Sequence, residues 1–413
     1  MTTLLLQLLK LIWNRRRSNA LIMTEILVAF VVLTGITTLG AYYLDNQRQP
    51  LGYQVDDIYV VTVHHGAEVQ GTDPAPERVR AMALPLLQAA REVPGVVAAA
   101  AAMAGPYSNG WRSTQTREGD VVGAGLIFDI DHVSDDFARV VGLQLVRGRW
   151  FDRSDDGAPY QPAVINEKMA RDFFGEADPV GKELGQEERY EGAGGPPIKV
   201  VGVVSAYRQE GDLGPPIRYM FKRLRLDVPA VPAYGHLYVR AQPGSGAELE
   251  QALEHRLQET VHDSQNWGFA VQRLDAVRAT ARRHTLTPVV AAGIIAGFLM
   301  LMVALGLSGV LWQNVTRRTR ELGLRRAKGA TRGHIHAQIL GELMVMTSLA
   351  VGLGALLVAH LPFLHLFGDL RMTVYVAGMA AAALVIYGIC LVCGLYPAWL
   401  AARVLPAVAL RQE

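Results

Sequence analysis

A few histidines and cysteines are the residues whose type and spacing could do chemistry. His64-His65 and His334-x-His336 could bind a metal, but neither pair has a cysteine or carboxylate at ligand spacing. Cys390-x-x-Cys393 could be a redox pair, but it lies in an uncharged apolar run, where a thiolate is disfavoured. We therefore expect no metal site. We interpret the histidines as solvated loop residues and the cysteines as small residues for helix packing.

A nucleotide site is the next possibility. The segment from Gly175 to Lys182 has five residues between its glycines, where a phosphate loop has four. Glu183 stands where Ser or Thr would bind magnesium. No Ser/His/Asp or paired-carboxylate arrangement stands out either. We therefore predict that the chain is not an enzyme and that it holds no catalytic, metal or cofactor-binding residue.

The loop RRTRELGLRRAKGA, residues 317–330, is the one polar segment whose pattern points to a contact. Glu321 and Arg325 are spaced to support a helix, Gly329 can end it, and Thr331 can cap the next one. Its apolar residues lie outside the uncharged, membrane-like stretches of the chain, so neither a bilayer core nor a membrane helix covers them: Leu322, Leu324 and Ala327. The loop is interpreted either as docking on a protein or as a surface helix held by anionic lipid.

Four stretches of the chain carry no charged residue and could position this loop. The chain has 413 residues, is 50% hydrophobic and has a mean hydropathy of +0.18. Only 19% of its residues are charged, and the missing charges are concentrated in these stretches. The uncharged stretches are residues 26–44, 285–316, 343–368 and 372–402. Each is long enough to cross a bilayer as a helix. The composition predicts four transmembrane helices and excludes a soluble enzyme and a disordered chain.

The first stretch is too long for a signal peptide, and no A-x-A-like site follows it. The residues before it repeat leucine at helical spacing and predict a short amphipathic helix on the membrane surface. Glu25, at the edge of this stretch, is a functional candidate by position. We prefer a structural interpretation, in which it pairs with the nearby arginines Arg15 to Arg17.

The distribution of basic residues predicts the orientation. The first 20 residues hold four Lys/Arg and no acid, and residues 314–334 hold seven against one acid. Both termini and the 314–334 loop are therefore expected in the cytoplasm. The block from Asp45 to His284 is expected outside, and it holds 26 Lys/Arg and 33 Asp/Glu, a net of −7.

The external block alternates strand and helix signals. Strands are expected at 57–63, 236–240 and 269–274, and helices at 76–93 and after a capping box, Ser245-Gly-Ala-Glu248. Asp73 could cap the first helix and Pro85 could kink it. The pattern suggests two βαβ-like units of a split α+β subdomain.

A second, strand-rich subdomain is predicted over roughly 125–225. Asn166 can cap a helix at 167–174 that Gly175 ends, and 198–204 has the pattern of a buried strand. From Asp275 a helix is expected to run on into the second span, as a stiff link.

Four segments together resemble the MacB/FtsX-like permeases of ABC transporters. RTRELGLRRAKGATRGHI looks like the loop before the family's third span, and PAWLAARVLPAVALRQE looks like its C-terminal motif. VSDDFARVVGLQLVRGRWF, VINEKMARDFFGEADPVGKEL and VVGVVSAYR resemble its external domain. Leu324 stands where isoleucine is common and Lys328 where leucine is common.

The resemblance implies a type VII system, in which a permease dimer binds two ATPase subunits. It implies an α-helical membrane protein with four transmembrane helices and a large α+β extracytoplasmic domain inserted between helices 1 and 2. ATP and Mg would be on the separate ATPase, because no fused ATPase domain precedes the first span. The expected coupling residues are Arg317, Arg318, Glu321, Leu322, Gly323, Leu324, Arg325, Arg326, Ala327, Gly329 and Ala330.

The expected boundaries follow the family. They are a surface helix at 1–17, spans at 18–45, 285–316, 335–361 and 373–397, a periplasmic domain at 46–284, a coupling loop at 317–334, a short periplasmic loop at 362–372 and a cytoplasmic tail at 398–413. Within the periplasmic domain, 46–124 and 226–275 would be porter-like, and 125–225 sabre-like.

Two functions remain open at this point. The leading one is export of periplasmic substrates such as peptides, antibiotics or lipoproteins by mechanotransmission, through an adaptor and an outer-membrane duct. The alternative is an FtsX-like relay that controls an envelope hydrolase or sensor. Both place the protein in the inner membrane as a homo- or heterodimer, with lipid and no nucleic acid as further partners.

Overall fold

The computed structural model describes residues 16–65, 76–108, 114–115, 127–186, 196–226, 235–261, 267–360 and 371–403. It divides into two compact units, Met1–Asp45 with Leu286–Glu413, and Asn46–Thr285. We call these the membrane unit and the sheet unit. The surface helix expected at 1–17, the loop at 362–372, the tail at 398–413 and the cap at Asp73 lie wholly or largely outside the described residues.

The described helices are α1 (Arg16–Gln47), α2 (Pro76–Glu92), α3 (Phe137–Val141), α4 (Glu167–Phe174), α5 (Ala247–Thr260), α6 (Leu274–Arg317), α7 (Thr319–Ala327), α8 (Arg332–Val358) and α9 (Met372–Arg403). Four of them are long and apolar enough to cross a membrane: α1, α6, α8 and α9. They coincide with the four uncharged stretches, as predicted. Helix α6 runs for 44 residues from Leu274, so the helix expected from Asp275 into the second span is confirmed.

Glycines bring the membrane helices close together. A Cβ on Gly378 of α9 would lie 2.5 Å from Thr38 of α1, and the Thr37 hydroxyl donates to the Gly378 carbonyl at 2.7 Å. Gly354 of α8 faces Phe30 of α1 in the same way. Small residues permit such approaches in membranes, where packing rather than the hydrophobic effect holds helices together. Cys390 is buried in this helical core, which fits the packing interpretation of the cysteines.

The described strands are β1 (Ile58–His65), β2 (Val96–Ala102), β3 (Thr114–Gln115), β4 (Ile127–Val133), β5 (Leu145–Gly148), β6 (Gln161–Asn166), β7 (Glu183–Gln186), β8 (Pro197–Val204), β9 (Tyr219–Arg223), β10 (His236–Ala241) and β11 (Trp267–Arg273). They form one mixed sheet in the order β11-β1-β10-β2-β4-β9-β6-β8-β5, with β3 on β4 and β7 on β8.

One half of the sheet is built from two interleaved βαβ units. Strand β1 is antiparallel to both β10 and β11, and β10 is antiparallel to β2. Therefore β1 and β2 are parallel with β10 between them, and β10 and β11 are parallel with β1 between them. Helices α2 and α5 cover this half, and the predicted stripe Leu249, Leu253, Leu257 and Val261 is buried in its core. This is the split βαβ pattern that the sequence predicted.

The other half holds β4, β9, β6, β8 and β5, with α4 packed on it. It joins the first half through a single β2–β4 residue pair, Ala102 with Val133. Asn166 caps α4 as predicted: its side-chain oxygen accepts from the Met169 N–H at 3.0 Å, and Gly175 follows the last turn. Both halves share a core that contains residues of β1, β2, β6 and β8.

One predicted cap is wrong. Ser245 does not form a capping box with Glu248, because the N-cap position of α5 is Gly246 and has no side-chain hydrogen bond. The Ser245 hydroxyl instead donates to the Gln242 carbonyl at 2.8 Å. The turn at Pro243-Gly244 brings that carbonyl within reach, and serine readily satisfies such local backbone groups.

Candidate functional site

Helix α7 is a separate short helix between two of the membrane helices. Helix α6 ends at Arg317, and Arg318 donates its backbone N–H to Val315 before α7 begins at Thr319. The helix stops before Gly329, whose φ of 98° is open to glycine but strained for other residues. Thr331 then caps α8 by accepting from the His334 N–H at 3.2 Å. The predicted roles of Gly329 and Thr331 are therefore confirmed.

A chain of polar side chains ties α7 to α8. Arg325 donates to Glu321 at 2.6 Å, the i, i+4 pair that the sequence predicted. The same guanidinium donates to Gln338 of α8 at 2.7 Å. Gln338 in turn donates to Glu342 at 3.0 Å, and Arg318 donates to the other oxygen of Glu342 at 2.7 Å. We call these five residues the α7–α8 network.

The two ion pairs of the α7–α8 network differ in strength. The side chains of Arg318 and Glu342 are 16% and 12% exposed, whereas those of Arg325 and Glu321 are 37% and 40% exposed. An exposed i, i+4 pair contributes only about 0.3–0.5 kcal/mol. Removing one partner of a buried pair costs about 3–5 kcal/mol, because it leaves an unpaired charge. The Arg318–Glu342 pair is therefore the stronger of the two ion pairs, and it is the one that reaches α8.

Helix α7 carries an apolar side chain that the described chain covers only in part. Leu324 is 48% exposed. Ala327 and Lys328 are also exposed, while Gly323 is buried. One exposed leucine is common on a protein surface, so Leu324 marks a candidate contact only together with the motif around it.

The expected coupling residues thus fall into four groups. Arg318, Glu321 and Arg325 are held in the α7–α8 network. Arg317, Leu324, Ala327 and Gly329 are exposed. Gly323 is buried, and Ala330 packs on a small cluster with Ile335 and Ile339. The side chains of Leu322 and Arg326 lie outside the described part of the structure.

Sequence reasoning missed Gln338 and Glu342. Glu342 directly precedes the uncharged stretch that begins at residue 343, and Gln338 lies four residues before it. That i, i+4 pair of polar residues at the edge of a span was a usable signal. What it could not reveal is that Arg318, just before α7, and Arg325, within it, would supply the donors.

Aromatic rings lie near the same end of the membrane unit. Trp312 of α6 stacks on Tyr396 of α9 with ring centroids 6.0 Å apart, and Tyr396 stacks on Trp399 at 6.3 Å. Tryptophan and tyrosine concentrate where a bilayer meets water. This arrangement is consistent with α7 lying at the membrane boundary.

The other candidate groups give no site. Among the described residues, no group of three or more His, Cys, Asp or Glu is placed to hold a metal ion. Glu25 lies against Gly306 of α6, where a Cβ would be 2.3 Å from its carboxylate. The side chains of Arg15 to Arg17 are outside the described part, so the pairing expected for Glu25 stays a prediction.

Four apolar helices joined to a mixed α/β sheet unit define a multi-pass membrane protein with a large domain outside the bilayer. Residues 20–256 match the family model described as MacB-like periplasmic core domain. Residues 293–406 match the one described as FtsX-like permease C-terminal. The chain belongs to the MacB/FtsX-like family of ABC transporter permeases, and its sheet unit is a MacB-like periplasmic domain.

Two curated ABC transporter proteins are similar to this chain. The macrolide export ATP-binding/permease protein MacB of Neisseria gonorrhoeae is 26% identical over 287 residues, which are 68% of this chain and 43% of that protein. The uncharacterized ABC transporter permease YknZ of Bacillus subtilis is 26% identical over 229 residues, 54% of this chain and 55% of YknZ. The chain thus spans about half the length of these relatives.

Two solved structures are similar. The periplasmic region of MacB from Actinobacillus actinomycetemcomitans has 16% identity and a TM-score of 0.36, over 56% of this chain and 94% of that one. The extracellular domain of YknZ has 14% identity and a TM-score of 0.34, over 51% of this chain and 99% of that one.

Proposed function

We propose that this chain is the permease subunit of a type VII ABC transporter and that α7 is the helix on which a separate ATPase subunit docks. The observation that carries the proposal is the exposed Leu324 on a helix anchored to α8 by the α7–α8 network. ATP and Mg are bound by the ATPase. This chain supplies the docking surface and the parts that move.

The α7–α8 network explains how docking would be transmitted. An ATPase that displaces α7 pulls on Arg318 and Arg325, and both are bonded to α8. Because the Arg318–Glu342 pair is largely withdrawn from water, breaking it would cost about 3–5 kcal/mol, which favours movement of α7 and α8 as one body. Motion of α7 therefore becomes motion of a membrane helix.

The wider proposal follows the family. Both termini and α7 are cytoplasmic, and the sheet unit is inserted between α1 and α6 in the periplasm, with porter-like and sabre-like parts. The long apolar face of α6, which includes Val290, Ile294 and Phe298, is exposed in one copy and would meet a second permease or lipid. ATP-driven motion of the sheet unit moves a periplasmic substrate toward an adaptor and an outer-membrane duct.

The test is a charge placed on the docking surface. The complex of the tagged chain with its ATPase is purified in lipid nanodiscs from its host, and the ATPase is identified by its mass and its phosphate-loop sequence. The variant Leu324→Asp should lose the ATPase and at least about 90% of ATP hydrolysis, because a charge buried at an interface without a partner costs several kcal/mol.

The matched control is His334→Asp. It makes the same change of charge at an exposed position just after α7, at a helix N-terminus where an acid is favourable. It should keep the ATPase and its hydrolysis. If Leu324→Asp retains full hydrolysis, α7 is not the docking helix. If hydrolysis is intact but amide exchange across α7 in nanodiscs rises in Leu324→Asp, the lipid-surface interpretation is favoured instead.

A further inference from the structure

A buried arginine in the sheet unit binds backbone carbonyls at the C-terminal end of α1 and just after it. Arg208 is 2% exposed. Its guanidinium donates to the carbonyls of Asn46 at 2.7 Å and Gln49 at 3.1 Å, and to those of Asp212, at 2.7 Å, and Gly214. The end of α1 is therefore fastened to residues 205–214, which we call the base loop.

The side chain of Asn46 also attaches the end of α1 to the base loop. Its amide donates to the Leu213 carbonyl at 3.0 Å, and Asn46 is only 3% exposed. A little further along, Gly52 passes so close to the base loop that a Cβ would lie 2.0 Å from the Ala206 carbonyl oxygen. These contacts are buried and numerous, so this side of the base loop is a fixed joint.

The base loop also holds the start of α6, by a different kind of contact. Arg278 donates two hydrogen bonds of 2.6 Å to the carboxylate of Asp212. The Asp212 side chain is 10% exposed, but that of Arg278 is 36% exposed. The Asp212–Arg278 pair can break without disrupting the core, because one of its partners is partly exposed. The four hydrogen bonds of Arg208 cannot break in this way, because they are buried in the core.

Further contacts with the sheet unit hold the base loop in place, so we expect it to move only together with its neighbours. Gly211, at a φ of 81°, donates to the Arg208 carbonyl and lies under the ring of Tyr107. Tyr53 donates its hydroxyl to the same Arg208 carbonyl at 3.2 Å. A pull on α6 through Arg278 therefore reaches the sheet core and the end of α1 together.

We propose that Asp212 and Arg278 are positioning residues that make the start of α6 and the base loop of the sheet unit move together during the ATP-driven cycle. This inference rests on the proposed function. Arg208 is the fixed half of the joint and the Asp212–Arg278 pair is the half that can be released. Work done at the ATPase would enter the periplasmic domain through these residues.

The experiment measures amide hydrogen exchange of the full chain in its ATPase complex, without nucleotide and with ATP plus vanadate. In the wild type, residues 205–214 and 274–282 should change together on vanadate trapping. In Asp212→Asn without nucleotide, exchange at 274–282 should rise about tenfold, as expected for loss of a charge-assisted pair, while 46–49 stays protected. On trapping, 274–282 should still respond and 205–214 should not.

Three comparisons separate a coupling role from a merely structural one. ATP hydrolysis by Asp212→Asn should stay within about twofold of wild type, since the docking surface is untouched. The reversed pair Asp212→Arg with Arg278→Asp should restore the joint response. Arg218→Gln removes a similar pair, with Asp172 of α4 at 2.6 Å, that involves neither the base loop nor α6, and it should leave the joint response intact.

The possible failures are distinct. If no ATPase associates with the wild-type chain, the proposed function fails and the coupling role fails with it. If hydrolysis is normal but Asp212→Asn shows the wild-type joint response, the coupling role alone is wrong. It is equally wrong if Arg218→Gln abolishes the response as completely as Asp212→Asn, or if the wild-type base loop never responds.

Discussion

The carboxyl group of Asp131 makes the stability of the sheet unit depend on pH. Asp131 is 1% exposed and lies on β4 beside the chain that follows β2. Its two oxygens accept from the N–H groups of Ala104 at 3.1 Å and Gly105 at 2.7 Å. Burial raises the pKa of Asp131 to about 7, although these backbone hydrogen bonds lower it in part. The perturbations are a rise in pH and the substitution Asp131→Asn.

The direction and size of the change in stability with pH follow from the pKa values of Asp131 in the unfolded and folded chain. Between the ordinary value of 3.8 and about 7, the unfolded chain is ionised at this position and the folded chain is protonated. The folded state then binds one more proton, so stability falls as pH rises through this window and is level above about 7. At about 1.4 kcal/mol per pKa unit, the total is about 4 kcal/mol.

The measurement is hydrogen exchange at residues 103–108 of the full chain, corrected for the intrinsic rate. From pH 5 to pH 8 the free energy of opening should fall by at least about 2 kcal/mol, because most of the window lies in that range. Asp131→Asn should remove the slope, and Asp129→Asn on the same strand should keep it. A flat wild-type profile, or a slope that survives in Asp131→Asn, would falsify the account.

Two further predictions concern the membrane unit. Glu342→Leu should lower the free energy of unfolding by about 3 kcal/mol and increase exchange throughout α7, because it leaves Arg318 unpaired. Glu342→Gln, which keeps an acceptor, should do so by half or less; equal effects of the two would contradict the role given to the ion pair. For orientation, Ala177→Cys should react with an impermeant thiol reagent in intact spheroplasts, whereas Ala327→Cys should react only after lysis. The opposite labelling would reverse the proposed topology.

Local features of the fold could be predicted from the sequence because each depends on neighbours in the chain. The cap at Asn166, the stop at Gly329 and the pair of Glu321 with Arg325 are all contacts within four residues. The predicted box at Ser245 failed for the same kind of reason, since a nearer carbonyl competed for the hydroxyl.

Contacts between distant segments could not be predicted in this way. Glu342 lies 24 residues from Arg318, and nothing in either sequence segment specifies that their helices lie side by side. Arg208 is a charged residue in a polar stretch, which predicts exposure, yet it is buried and two of its four carbonyl acceptors, those of Asn46 and Gln49, are about 160 residues away. The candidate docking helix was therefore visible from the sequence, but the joints that attach it and the base loop were not.

The interleaved strands also decide when the periplasmic domain can fold. Strand β1 is synthesised first, yet both of its partners, β10 and β11, are near the end of the domain. Strand β2 depends on β10 as well. Until nearly the whole domain has been synthesised, β1 has no native partner and β2 has only its single residue pair with β4, and closing such distant contacts is slow. The incomplete domain therefore keeps unpaired strand edges until β10 and β11 follow, and such edges make a partly folded chain prone to aggregate.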